Sequence, residues 1–193
     1  MRTYYKILAL FVLCLGLAAC EFGQVEQGRC VAYDASKQTF TMVLDVNHDV
    51  QNPSYTGGVM TYTMPADPAE IGPEPVPGGR VQINTEKSEV IIFRDGKLET
   101  VKVEFTDIQK NILPSNPKVA GHKFPVIDKD NGTITEYSKR LHEIVTFKVP
   151  AEYLELPPST WEAGDECRIY YKENAKHQAL RFMNVSKTNI FKK

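Results

Sequence analysis

Long apolar runs, an excess of basic charge and the common catalytic signatures are what this 193-residue chain most plainly lacks. Its one sustained apolar run, residues 7–15, falls short of the ~20 residues that a bilayer-spanning helix needs, so a permanent anchor helix is not expected. Lys and Arg number 23 against 24 Asp and Glu, a net charge of −1 with no basic stripe, which disfavours a nucleic-acid partner. There is no His-Glu-x-x-His, no Cys-x-x-Cys, no Gly-x-Ser-x-Gly and no Gly-rich phosphate loop ending in Lys-Ser/Thr. The expectation is a protein that is not an enzyme and carries no cofactor. A hydrolase whose site is assembled from distant residues stays open as an alternative, because such a site leaves no local motif.

What is present begins at the N-terminus. Arg2 and Lys6 precede the apolar run, and Gly16-Leu17-Ala18-Ala19 leads into Cys20, the charged, apolar and small-residue order of a secretion signal. Leu17-Ala18-Ala19-Cys20 resembles the lipobox of bacterial lipoproteins, which implies that residues 1–19 are removed and Cys20 is acylated as the new N-terminus. Several acyl chains, at ~0.8 kcal/mol per buried methylene, would make such an anchor stable. By the family's sorting pattern, Glu21 rather than Asp after the cysteine leans toward the outer membrane facing the periplasm over the inner membrane. Loss of Arg2 and Lys6 leaves 21 basic against 24 acidic residues, a mature net charge of −3.

Of the four cysteines, Cys14 leaves with the signal and Cys20 is taken by lipid, so Cys30 and Cys167 remain. In an oxidising compartment such a pair is a candidate disulfide, with small buried apolar residues as the other reading.

An internal repeat organises the rest of the chain. Val31-Ala32-Tyr33-Asp34 followed by Thr39-Phe40-Thr41 is matched by Pro125-Val126-Ile127-Asp128 followed by Thr133-Ile134-Thr135. Tyr62-Thr63-Met64-Pro65-Ala66 is matched by Phe147-Lys148-Val149-Pro150-Ala151, and residues 78–83 by residues 164–169. Each copy reads as a hairpin with period-two alternation, a third strand stopping at a proline, a short helix begun by Pro65 or Pro150, and then two more strands. Asn131-Gly132 supplies the positive φ that a tight hairpin requires. Asp95-Gly96 adds a further hairpin, with an extra strand over residues 98–105.

That order predicts an all-β protein with short helices, built as two tandem OB-like small β-barrels related by duplication. The expected boundaries are a tether at 20–28, a first barrel at 29–105, a linker at 106–123 containing Pro114 and Pro117, and a second barrel at 124–193. A single β-sandwich accommodates the same strands and is the alternative.

Candidate sites are weak. Asp128-Lys129-Asp130-Asn131-Gly132 starts like a calcium loop, but Gly132 replaces the next ligand and Lys139 the closing Glu, so it reads as a turn. Met42, Met60 and Met64, with His48, could offer soft donors to Cu(I), as in a periplasmic copper-binding protein; core filling by Met is the stronger reading. Trp161, Tyr170 and Tyr171 could form an aromatic platform or fill a core. The aperiodic stretch 48–58 is where a binding edge is first expected.

The signal, the Asp-x4-Thr-apolar-Thr pattern and the Met64-Pro65-Ala66 region together resemble an uncharacterised domain-of-unknown-function group of short bacterial lipoproteins, a resemblance that implies no activity. The functional expectation is a membrane-anchored, non-catalytic binding or assembly module, held by lipid on Cys20 and meeting an envelope protein partner.

Overall fold

A computed structural model describes residues 23–49 and 52–188; residues 1–19, expected as a signal, and Cys20 lie outside the described residues. The first copy supplies β1 (Gly23–Asp34), β2 (Thr39–Leu44), β3 (Val59–Thr63), β4 (Arg80–Asn84) and β5 (Glu89–Arg94). Between the copies run β6 (Lys97–Lys102) and β7 (Glu104–Gln109). The second copy supplies β8 (Val126–Asp128), β9 (Thr133–Ser138), β10 (Glu143–Lys148), β11 (Glu166–Lys172) and β12 (Arg181–Asn184).

The matched aspartates explain why the first hairpin of each copy forms where it does. Asp34 Oδ1 accepts from the amides of Ser36 and Lys37 at 3.0 and 3.1 Å, and Asp128 Oδ1 accepts from the amide of Asn131 at 3.1 Å. Each carboxylate thus stands in for a backbone acceptor in the turn, and hydrogen bonds from the side chains of Ser36 and Asn131, aided by the turn amides, hold both carboxyls below the usual carboxylate range. Gly132 has the expected positive φ, +68°. Pro150 directly precedes the helix Ala151–Leu154 as read from the sequence. In the first copy the helical turn starts later, at Pro68–Glu70, because the Asp67 carboxylate caps it by accepting from the Ala69 amide at 2.9 Å.

All-β architecture with short helices is what forms, but the strands do not close into barrels. They make three open antiparallel sheets, ordered β12-β11-β1-β2-β3, β7-β10-β9-β8 and β4-β5-β6. The pairing crosses between copies: β1 pairs along its first half with β11, from Gly23 opposite Lys172 to Arg29 opposite Glu166. Residues 23–28, expected as a tether, are therefore strand. The strand expected over 98–105 breaks at Val103, whose amide donates to the Ser88 carbonyl at 3.0 Å. Its first part pairs with β5 and its continuation with β10, so β7 runs on into the stretch expected as linker, 106–123.

The cores follow the exchange. One buried cluster joins Phe40, Met42 and Tyr62 of the first copy to Cys167, Ile169 and Phe182 of the second. A second joins Val90, Ile92 and Val101 to Ile134, Phe147 and Trp161. A third, Val31, Val43, Tyr55 and Val81, packs β1 and β2 against β4. In the first two clusters each copy's first three strands thus share a core with the other copy's last strands, while the third lies within the first copy.

The connections from β3 to β4 and from β10 to β11 must pass each other to achieve this. They do so at matched glycines. A Cβ on Gly164 would overlap the Cys30 carbonyl oxygen and lie 2.8 Å from the Gly78 nitrogen, and one on Gly78 would lie 2.7 Å from the Ala163 carbonyl carbon. The Gly78 amide donates to that Cys30 carbonyl at 3.2 Å, and the Arg80 amide to the Glu162 carbonyl at 3.0 Å, tying the two crossing segments together. Only glycine lets backbones approach this closely.

Candidate functional site

The fold brings Cys30 and Cys167 together. Both are fully buried free thiols in the same cluster, on paired strands and diagonal to one another across the β1–β11 ladder. The hydrogen bond with the Cys30 thiol, together with burial, pushes the Cys167 thiol upward in pKa. A neutral thiol is a poor nucleophile and a poor metal ligand, so the environment favours packing over metal capture, while the placement on paired strands is what speaks for a disulfide.

The Met-His set is divided. Met42 and Met64 are buried in the cluster that holds the two cysteines, and Met60 packs at its margin, directly opposite Met42. His48 is half-exposed in the following loop, with Nε2 3.8 Å from Glu26 Oε2. Among the described residues no three His, Cys, Asp or Glu side chains form a metal-holding group, and no helix is long and apolar enough to cross a membrane. The aromatic platform is also dispersed. Trp161 is fully buried against Phe147 and Tyr153, Tyr171 packs in the other cluster, and the Tyr170 ring lies over Gly23.

What the fold assembles instead is a cleft at the crossing, into which β1, β4 and the end of β9 converge. It has two adjoining lobes, of about 330 and 610 Å³, and Arg29, Arg80, Ser138 and Arg140 line both. Among the described residues the larger lobe carries five cationic side chains, those three arginines with Lys139 and Lys187, against the carboxylates of Asp165 and Glu166. In a chain of net negative charge this is a local positive concavity, and low-dielectric walls focus such a field.

The aperiodic loop contributes the wall of the smaller lobe. Buried Asp45 holds the loop by accepting from the amides of Asn47 and Ser54 at 3.0 and 2.7 Å. Tyr55 is thereby driven inward. The Arg29 guanidinium lies 4.9 Å from the centre of the Tyr55 ring, and Arg29 Nη2 donates to Tyr55 Oη at 2.9 Å. Tyr55 Oη in turn donates to Glu166 Oε2 at 2.5 Å, and burial pushes the phenol up to about 12. The Glu166 carboxylate sits 3.9 Å from Arg29 Nη2, and Arg29 Nε is buried with no hydrogen-bond partner. The Arg29 charge is therefore only partly compensated.

Arg80 forms the floor. It is 4% exposed, donates from Nε to the Trp161 carbonyl at 3.0 Å, and makes an ion-pair contact with Glu136 at 3.3 Å. Burial pushes the Glu136 carboxyl up to about 7 against the opposing pull of Arg80. Sequence reasoning missed these residues. One signal was available: Glu136 stands at the repeat position matched by Met42, a core-facing place in an alternating strand where a carboxylate needs a partner.

Chemically the cleft offers guanidinium and ammonium donors, the tyrosines Tyr55 and Tyr137, and the serines Ser138 and Ser186. No curated protein and no solved structure matches the chain. A family model described as Domain of unknown function (DUF4881) matches residues 21–193, which covers every described strand and both walls of the cleft, and the chain belongs to that family.

Proposed function

We propose that the chain is a membrane-anchored envelope lipoprotein that works as a non-catalytic binding module, with the arginine-lined cleft as its receptor. The observation that carries this reading is the cleft itself: a positive concavity assembled from both copies of a duplicated fold in an otherwise acidic chain. The Leu17-Ala18-Ala19-Cys20 segment supports the anchor. With β1 starting at Gly23, only a three-residue tether would separate lipid from fold, about 10 Å at full extension. An anchored receptor meets neighbours on the same membrane at raised effective concentration. Native mass spectrometry of the protein extracted with its anchor is expected to show a bound envelope component that is lost in Arg140→Glu and kept in Lys97→Gln. Recovery of the bare protein from wild type under gentle extraction refutes the reading.

A further inference from the structure

We infer that the outer face of the five-stranded sheet, at the end where β1 begins, is a lipid-contact surface on which Val25, Tyr170 and Leu180 rest against the bilayer interface. The inference deepens the anchored-lipoprotein reading and rests on it.

Strand pairing sets the patch. Val25 stands directly opposite Tyr170, so both side chains leave the sheet on the face away from the Cys30 and Cys167 core. The Leu180 amide donates to the Tyr170 carbonyl at 2.8 Å, and the two residues line one surface hollow of about 330 Å³ with Glu70 and Arg181. The Tyr170 ring lies over Gly23, the first residue of β1. Val25 is 48% exposed and Leu180 37%. Further along β1 the same face is covered: Gln27 is buried, and Val31 packs with Val43 and Val81. The outer face is thus closed where β4 packs on it and open where the strand begins.

Chain length points to what meets the open end. Cys20 and Gly23 are three residues apart, about 10 Å at full extension, and Val25 lies about 7 Å further along the strand. An acylated Cys20 sits in the headgroup layer, about 5–7 Å deep on each side of the hydrocarbon, so the start of β1 would be held beside the interface. Two aliphatic side chains around a tyrosine, with its apolar ring and polar tip, suit that boundary. Because the acyl chains carry the affinity, a patch of this size need only select which face turns to the lipid. The neighbouring charges are already committed: Arg181 forms a bidentate ion pair with Glu70, and Arg168 donates to Gln27 Oε1 at 2.6 Å. Apolar contact rather than lipid charge therefore sets the docking, and a zwitterionic lipid suffices.

The test places the acylated full chain in phosphatidylcholine vesicles brominated on the acyl chains near the headgroup, and reads tryptophan quenching. Wild type supplies the baseline, since Trp161, the one tryptophan of the chain, is fully buried. Tyr170→Trp is expected to lose roughly half of its added emission, and Leu98→Trp, on the β5–β6 hairpin, none. Adding Val25→Ser and Leu180→Ser to Tyr170→Trp should restore most of that emission. If Tyr170→Trp fails to fold by circular dichroism, Leu180→Trp reads the same face. Equal quenching of Tyr170→Trp and Leu98→Trp, or none in either, overturns the inference, while sedimentation of the same protein with the vesicles leaves the anchor and the binding module standing. Absent quenching together with a crosslinked dimer assigns the face to a second copy and likewise overturns it. A chain that carries no acyl group on Cys20 and stays in the supernatant overturns both the lipid face and the anchored reading.

Discussion

Replacing Gly164 with alanine tests the crossing of the two copies directly. The added methyl would occupy the place of the Cys30 carbonyl oxygen and press within 2.8 Å of the Gly78 nitrogen, both of them backbone atoms that no rotamer change can move. Relief requires β1 to part from the crossing segments. That movement breaks the Gly78 amide bond to the Cys30 carbonyl, and strains the Cys30 amide bond to the Asp165 carbonyl at 2.9 Å. Two backbone hydrogen bonds at about 1 kcal/mol each, with overpacking of about 1–3 kcal/mol, give a loss of roughly 3–5 kcal/mol. Against a domain stability of about 5–15 kcal/mol this takes a large share of the total. Gly58→Ala is the control, since its Cβ would meet nothing within 4 Å and only its φ of +89° is strained. It should cost about 1–2 kcal/mol. Urea unfolding followed through buried Trp161 measures both, and a Gly164→Ala loss no larger than that of Gly58→Ala refutes the crossing as described.

Four further outcomes are expected. Because the Glu136 carboxyl sits at about 7 in the fold against an ordinary 4.5, the folded state binds the extra proton, so its contribution is full below about pH 4.5 and is lost as pH rises through 7; Glu136→Gln should flatten a slope worth up to about 3 kcal/mol, and an unchanged pH profile refutes this. In protein matured in an oxidising envelope, Cys30 and Cys167 should resist alkylation after denaturation without reductant, and the bridge should add about 4 kcal/mol; labelling of both thiols refutes pairing. Cys20→Ala should release the protein from membranes or leave its signal uncleaved, and a mature N-terminus mapped elsewhere than residue 20 refutes acylation. Cu(I) titration should give no defined stoichiometry, since Met42 and Met64 are core and His48 lies outside it; a stoichiometric complex lost in Met42→Leu refutes the packing reading.

Local structure was legible because local physics sets it. Asp34 and Asp128 stop their strands by bonding turn amides, Thr39-Phe40-Thr41 and Thr133-Ile134-Thr135 alternate across a half-buried sheet, and Pro150 starts a helix, all within a few residues of sequence. Partner choice was not legible. Residues 166–172 show the same alternation whether they pair with their own copy's β8 or with β1, because periodicity reports which face is buried and not against whom. The repeat marked Gly78 and Gly164 as equivalent, yet their meeting is a tertiary event that spacing cannot express. Arg29, Tyr55 and Arg140 carried no signal either, being a charged residue in a strand, an aromatic in an aperiodic loop and a charge in a turn. Only Glu136, a carboxylate in a core-facing slot, broke the local pattern.

The exchange also explains why the buried Arg80 and Glu136 meet at this place. Arg80 and Glu166 occupy matched positions two residues beyond the crossing glycines, so the fold carries both to the same junction from opposite copies. Side chains of like sign there would repel across a low-dielectric gap, whereas opposite signs let each find a partner in the other copy: Arg80 lies against Glu136 of β9, and Glu166 near Arg29 of β1. The two pairs are unequal. Arg80 and Glu136 are sealed at 3.3 Å, but Glu166 stands 3.9 Å from Arg29 and gives its short bond to Tyr55 instead. That imbalance leaves positive charge facing the cleft on one side of a junction whose other side is closed. The asymmetry between two copies of one pattern, rather than a feature of either copy, sets how charge is distributed around the cleft.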